Sequence, residues 1–84
     1  PRLAAMRALQ KLDPSDAEVA IPELTDGLGH ADARVRRAAA ETLAKIGPSA
    51  HSAIPVLRRA LGDEDSDVRI NASDAILSIL RKER

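Results

Sequence analysis

Few side chains in this sequence could do chemistry, and their spacing limits what that chemistry would be. There are two histidines, His30 and His51, and no cysteine. A metal centre needs three or four ligands converging on one point. Two histidines far apart in sequence, each in a predicted turn, read instead as solvated loop residues. The run Asp63-Glu64-Asp65-Ser66-Asp67 has the oxygen-rich look of a cation loop. A calcium hand wants glycine at the sixth position, and counting from Asp63 that position is Val68. The run fits a helix start better: Asp65 as the cap, its acidic neighbours beside the positive end of the helix dipole. Arg34, Arg36 and Arg37 form one basic group and Arg58 and Arg59 another, which could make a local phosphate patch. They read more simply as structural or solvated side chains. No catalytic, cofactor-binding or metal-binding residue is expected, and no cofactor.

Composition supports that reading. The chain has 84 residues, no Phe, Tyr, Trp or Cys, and 13 Lys+Arg against 13 Asp+Glu. Disulfides, thiolate chemistry and stacking of bases on aromatic platforms are excluded. A dedicated nucleic-acid domain is usually strongly basic, so net charge zero disfavours one. No apolar run approaches the roughly 20 residues of a membrane span, and no signal peptide is read at the start. The lack of cysteine favours the cytoplasm without requiring it.

The elements that position these residues repeat. Arg2, Ala4, Ala5, Leu9, Lys11, Pro14 and Ser15 recur as Arg36, Ala38, Ala39, Leu43, Lys45, Pro48 and Ser49, an offset of 34. Ala20-Ile21-Pro22-x-Leu24-x3-Leu28-Gly29 returns 33 residues on as Ala53-Ile54-Pro55-x-Leu57-x3-Leu61-Gly62. Asp32-x-x-Val35-Arg36-x-x-Ala39 returns as Asp65-x-x-Val68-Arg69-x-x-Ala72. Each copy reads as two helices. Val35, Ala39, Leu43 and Ile46 form a helical stripe, with Asp32 as N-cap and Gly47-Pro48 as the stop. Ile54, Leu57 and Leu61 form the next stripe, with Ser52 as N-cap, Pro55 in the first turn and Gly62 closing. Five helices are predicted, at about 2–12, 19–29, 33–46, 52–62 and 66–82, and no strand.

Asp32-x-x-Val35-Arg36-x-x-Ala39-x-x-x-Leu43-x-x-Ile46-Gly47 followed by Ala53-Ile54-Pro55-x-Leu57-x-x-x-Leu61 resembles the HEAT-like repeats, in particular the short variety named after phycobilisome lyases. The resemblance implies an all-α fold, a right-handed α-solenoid (superhelix) of about two and a half helical hairpins, in repeats of approximately 1–29, 30–62 and 63–84. It implies a concave surface that binds another protein. It also implies a polar ladder between repeats, from an Asp in the turn to the Arg six residues later. Asp63 and Arg69 match that spacing; His30 replaces the Asp before Arg36, which could turn to Asp63 instead.

Three groups of residues are therefore of interest. Glu23, Asp26, Val56 and Arg59 lie opposite the buried stripes of the second helices and form a candidate protein-binding ridge. Arg36, Asp63 and Arg69 form the ladder. Ile70, Leu77 and Leu80 make the last helix apolar on a second face, which no second helix of its own repeat would cover. That face, with a start in mid-helix, suggests a fragment of a longer array or a homodimer through the C-terminal helix. The expected function is a non-enzymatic protein-binding scaffold. The alternatives are a bilin (tetrapyrrole) lyase-associated or chaperone-like module, and a HEAT-like nucleic-acid binder.

Overall fold

The computed structural model describes residues 18–81, and this stretch is helical with no strand among the described residues. A 3-10 turn, Glu18–Ala20, leads into α1, Ile21–Gly27. Helix α2 spans Ala33–Ile46; a 3-10 run, Gly47–Ala53, leads into α3, Ile54–Ala60; and α4 spans Ser66–Leu80. The helix expected at 2–12 lies outside the described residues.

Local sequence explains the boundaries. Asp32 and Asp65 take extended backbone and accept from the Arg34 and Val68 N–H groups, so two otherwise orphaned donors are satisfied. Helix α2 stops at Gly47, whose φ of 78° is in the region other residues avoid. Its N–H bonds back to the Leu43 carbonyl. Several boundaries fall inside the sequence reading: α1 is Ile21–Gly27 rather than 19–29, and α3 ends at Ala60 rather than 62. Helix α3 starts at Ile54, not at 52: Ala53 occupies the cap position without a side-chain bond, and Ser52 ends up in the 3-10 run. That run is broken at Ala50 (φ −90°, ψ 20°), and Pro55 follows in the first turn of α3, where its missing N–H costs nothing. Helix α4 ends at Leu80 rather than 82, with Arg81 already extended.

The core lies where the stripes meet. Val35, Ala39, Leu43 and Ile46 of α2 and Val68, Ala72, Ala75 and Ile79 of α4 are all buried. Leu24 and Leu57 bring α1 and α3 onto them. The most extensive contact is α2 against α4, followed equally by α3 and the 3-10 run before it against α4. Ala38, Ala39, Ala40, Ala72 and Ala75 on these two helices allow close approach, with small side chains filling the space that larger ones would need between more distant axes. Leu61, expected in the α3 stripe, is instead 44% exposed and lies past the end of the helix, while Ala60 takes the buried position. Its counterpart Leu28 is followed by a complete hairpin and is buried.

Candidate functional site

The two turns between copies are built alike. In the second, Gly62 N–H donates to the Arg59 carbonyl at 3.0 Å and Asp63 N–H to the Ala60 carbonyl at 3.1 Å. In the first, Gly29 and His30 repeat this to Asp26 and Gly27, both at 3.1 Å. The Asp65 N–H then donates to Asp63 Oδ1 at 2.9 Å, and the Asp32 N–H donates to His30 Nδ1 at 3.0 Å. The imidazole thus closes its turn as the carboxylate closes the other. It does so through the Nδ1 lone pair, which leaves the ring's other nitrogen to carry the proton.

The arginine six residues later locks each turn. Arg36 Nη1 donates to the His30 and Ala31 carbonyls at 2.7 and 2.9 Å. Arg69 Nη1 donates to the Asp63 and Glu64 carbonyls at 2.8 and 3.3 Å. Arg36 also reaches forward: Nε donates to Asp63 Oδ2 at 2.8 Å and Nη2 to Oδ1 at 3.1 Å. Four of its five N–H bonds are therefore used on two turns at once. The Arg36 and Asp63 side chains are only 10% and 12% exposed, whereas Glu64 beside them is 92% exposed. Burial alone would raise the Asp63 carboxyl's pKa. The bonds from Arg36 and from the Asp65 N–H outweigh it and hold the group below the ordinary carboxylate value. Asp63 in turn raises the Arg36 guanidinium. Asp32, bonded by the Arg34 side chain and by the Arg34 N–H, is lowered to about 2. An open groove runs over both turns, lined by Leu28, His30, Arg36, Asp63 and Glu64 among others. Among the described residues, no three His, Asp or Glu gather in a way that could hold a metal ion, and no helix is long and apolar enough to cross a membrane.

The ridge residues sit on α1 and α3. Glu23, Asp26 and Arg59 are exposed; Val56 is half-buried against the core. Asp26 and Arg59 occupy the same position in consecutive copies and carry opposite charge.

On α4, Ile70, Leu77 and Leu80 are 57%, 66% and 53% exposed. One copy earlier, the geometry shows what such a face meets. The matching residues of α2, Arg37 and Ala44, do not face their own second helix; they face α4. Arg37 Nη1 donates to Asp67 Oδ2 at 3.3 Å, and its Nε, closed off from solvent, stands 4.0 Å from Asp65 Oδ1. Asn71 Nδ2 donates to the Arg37 carbonyl at 3.3 Å and Ser78 Oγ to the Ala44 carbonyl at 2.7 Å. The exposed side of α4 is thus the side on which, one copy earlier, the next helix lies. Sequence reasoning missed Asn71 and Ser78 altogether; their signal was two polar residues at helical spacing on the docking side of an otherwise apolar helix.

Neither the curated proteins nor the solved structures contain a match to the chain. The family model for HEAT repeats, however, matches residues 1–77. With the duplicated turns, the repeated arginine and the stacked Ala-rich helices, that match spans nearly the whole sequence, and the chain belongs to the HEAT repeat family.

Proposed function

We propose that the chain is a protein-binding scaffold, its hairpins stacked as a right-handed solenoid in repeats of approximately 1–29, 30–62 and 63–84. HEAT repeats generally mediate protein–protein interaction, so the family supports a scaffold in general terms. The observation that supports the finer reading is the row on α1 and α3, exposed at Glu23, Asp26 and Arg59, where Glu23 and Asp26 stand in register with Val56 and Arg59. An acidic step beside a basic one, around a half-buried valine, favours a partner segment with the complementary order of charges. The short, phycobilisome-lyase-like variety of repeat is part of the same proposal.

The test is affinity capture with three baits: the chain itself, an Asp26→Lys/Arg59→Glu variant, and a Glu64→Ala control. A specific partner should be retained by the chain and by the control and lost with the double charge reversal. A partner set that does not change across all three baits would reject the ridge as the binding surface.

A further inference from the structure

We propose that two copies of this chain associate through α4, packed antiparallel about a two-fold axis. The face involved is the stripe Ile70, Ser73, Leu77 and Leu80, every member exposed. This inference is independent of the ridge on α1 and α3.

Three observations select a second copy as the occupant. The first is what the stripe lacks. On α2 the corresponding positions are Arg37, Ala40 and Ala44, and they receive a helix whose acidic start pairs with Arg37. On α4 the arginine has become Ile70 and the second alanine Leu77. A helix of the α4 kind laid here would lose its ion pair and meet a leucine where it needs an alanine. The three large aliphatic groups call for an apolar surface. Ser73 among them is compatible with one, since a helical serine hydroxyl can bond to a carbonyl one turn back in its own helix.

The second observation is symmetry. The spacing of the stripe is three, four, three residues, which reads the same from either end. In an antiparallel copy Ile70 therefore meets Leu80, and Ser73, the smallest member, meets Leu77, the most exposed of the large ones. The two-fold axis makes the Ser73–Leu77 contact twice, so large lies against small on both sides of it, the condition for close packing of two helices.

The third is charge. Glu64 and Asp67 are exposed at the start of α4, Asp67 also accepting from Arg37 and exposed Arg69 being turned back to the Asp63 carbonyl, and exposed Arg81 follows the helix end. Antiparallel packing sets the acidic start of each helix beside Arg81 of the other, and it opposes the helix dipoles. Parallel packing would place like charges together. Asp74 lies at the rim close to the axis, where it opposes its own copy. That repulsion, and a contact confined to one helix about 22 Å long, keep the association weak, below the size class of stable complexes.

Sedimentation equilibrium of the 84-residue chain is the test. A monomer–dimer equilibrium is expected, with Kd roughly 10–100 µM. Ile70→Lys/Leu77→Lys should raise Kd at least about 30-fold with an unchanged far-UV spectrum. Ser73→Leu is the sharper variant. It adds apolar surface but fills the notch that receives Leu77, so Kd should rise about tenfold, whereas Ser73→Ala keeps the notch and should leave Kd unchanged or lower. Arg81→Glu should weaken the dimer several-fold at low salt and much less at high salt. The proposal is overturned by a monomer at about 1 mM, by open-ended oligomers, by indifference to the lysine pair, or by tighter association of Ser73→Leu. Should the lysine pair unfold the chain, the variants at residues 73 and 81 still decide.

Discussion

Arg36 bonds to two successive turns at once, and its arrangement sets what single substitutions should do. It ties the turn before its own helix, through the His30 and Ala31 carbonyls, to the turn after the hairpin, through Asp63. Asp63→Ala leaves a largely buried guanidinium without its counter-ion and frees the Asp65 N–H, which should cost about 3 kcal/mol. Glu64→Ala removes a solvated charge and should cost less than about 0.5 kcal/mol. Equal and small losses in urea denaturation would show that the pair contributes little. The sign of the pH effect follows from the lowered pKa values of Asp63 and Asp32. A carboxylate held below its unfolded value stabilises fully above that value, 3.8, and loses its contribution as pH falls toward its folded value, about 2 for Asp32. On this account thermal stability should be level above about pH 4 and fall steeply below it, and Asp63→Asn should flatten part of the fall. His30 provides a separate test. His30→Ala removes the acceptor of the Asp32 N–H and should cost about 1 kcal/mol. His30→Asp restores an acceptor and adds a carboxylate beside Arg36, so stability should be kept or raised. If both variants lose the same amount, the imidazole is not what closes the turn.

At the scale of the elements, the ends of the helices separate what could be read in the sequence from what could not. The Asp32 and Asp65 caps, the stop at Gly47 and the stripes of α2 and α4 were legible because capping, backbone handedness and helical period are local properties. The 3-10 run Gly47–Ala53 was not, since prolines at 48 and 55 are equally compatible with a loop or with a tighter helix. Nor was the exposure of Leu61, because its stripe is as regular as that of Leu28 and only the absence of a covering element among the described residues distinguishes them. The neighbour that covers the forward face of a first helix was not legible for a similar reason. Periodicity shows that Arg37 and Ala44 share a side; it does not show which neighbour lies there. The glycines make the part played by handedness testable. Gly29, Gly47 and Gly62 all follow helices, yet only Gly47 has positive φ. A Cβ at Gly62 would meet nothing closer than the Arg59 carbonyl at 3.7 Å. Gly62→Ala should therefore be neutral or stabilising by up to about 1 kcal/mol, by restricting the unfolded chain. Gly47→Ala should lose about 1–2 kcal/mol to backbone strain, although space for the methyl group exists. Calorimetric melting of the two variants checks the contrast, and equal shifts would remove the handedness argument.

The whole molecule depends on one helix being stacked on the next, and the repeat itself supplies the control for that statement. Leu43, fully buried within the joint core, is the obvious large-to-small probe, and Leu43→Ala should cost about 2–5 kcal/mol. In a domain of this size that is a large part of total stability. A large loss at Leu43 would nonetheless fit almost any helical core. Residues 40 and 73 discriminate better. Ala40 and Ser73 occupy the same position in consecutive first helices, yet Ala40 is fully buried and Ser73 is exposed. Their environments differ because Ala40 lies on α2 between Arg37 and Ala44, whose carbonyls receive Asn71 and Ser78 of α4. Leucine at residue 40 would have to push α4 away or leave its rotamer minimum, so Ala40→Leu should destabilise by about 1–3 kcal/mol. At residue 73 the same step from alanine to leucine is the difference between Ser73→Ala and Ser73→Leu, and there it has no neighbour among the described residues to displace. Those two variants should differ in monomer stability by less than about 0.5 kcal/mol, measured at concentrations too low for association. Helix propensity cannot produce the contrast, since the step compared is the same at both sites and is worth only a few tenths of a kcal/mol at most. Only a helix lying on one position and not on the other can produce it, and equal effects at the two would mean that α4 does not dock on the Arg37–Ala44 face in solution.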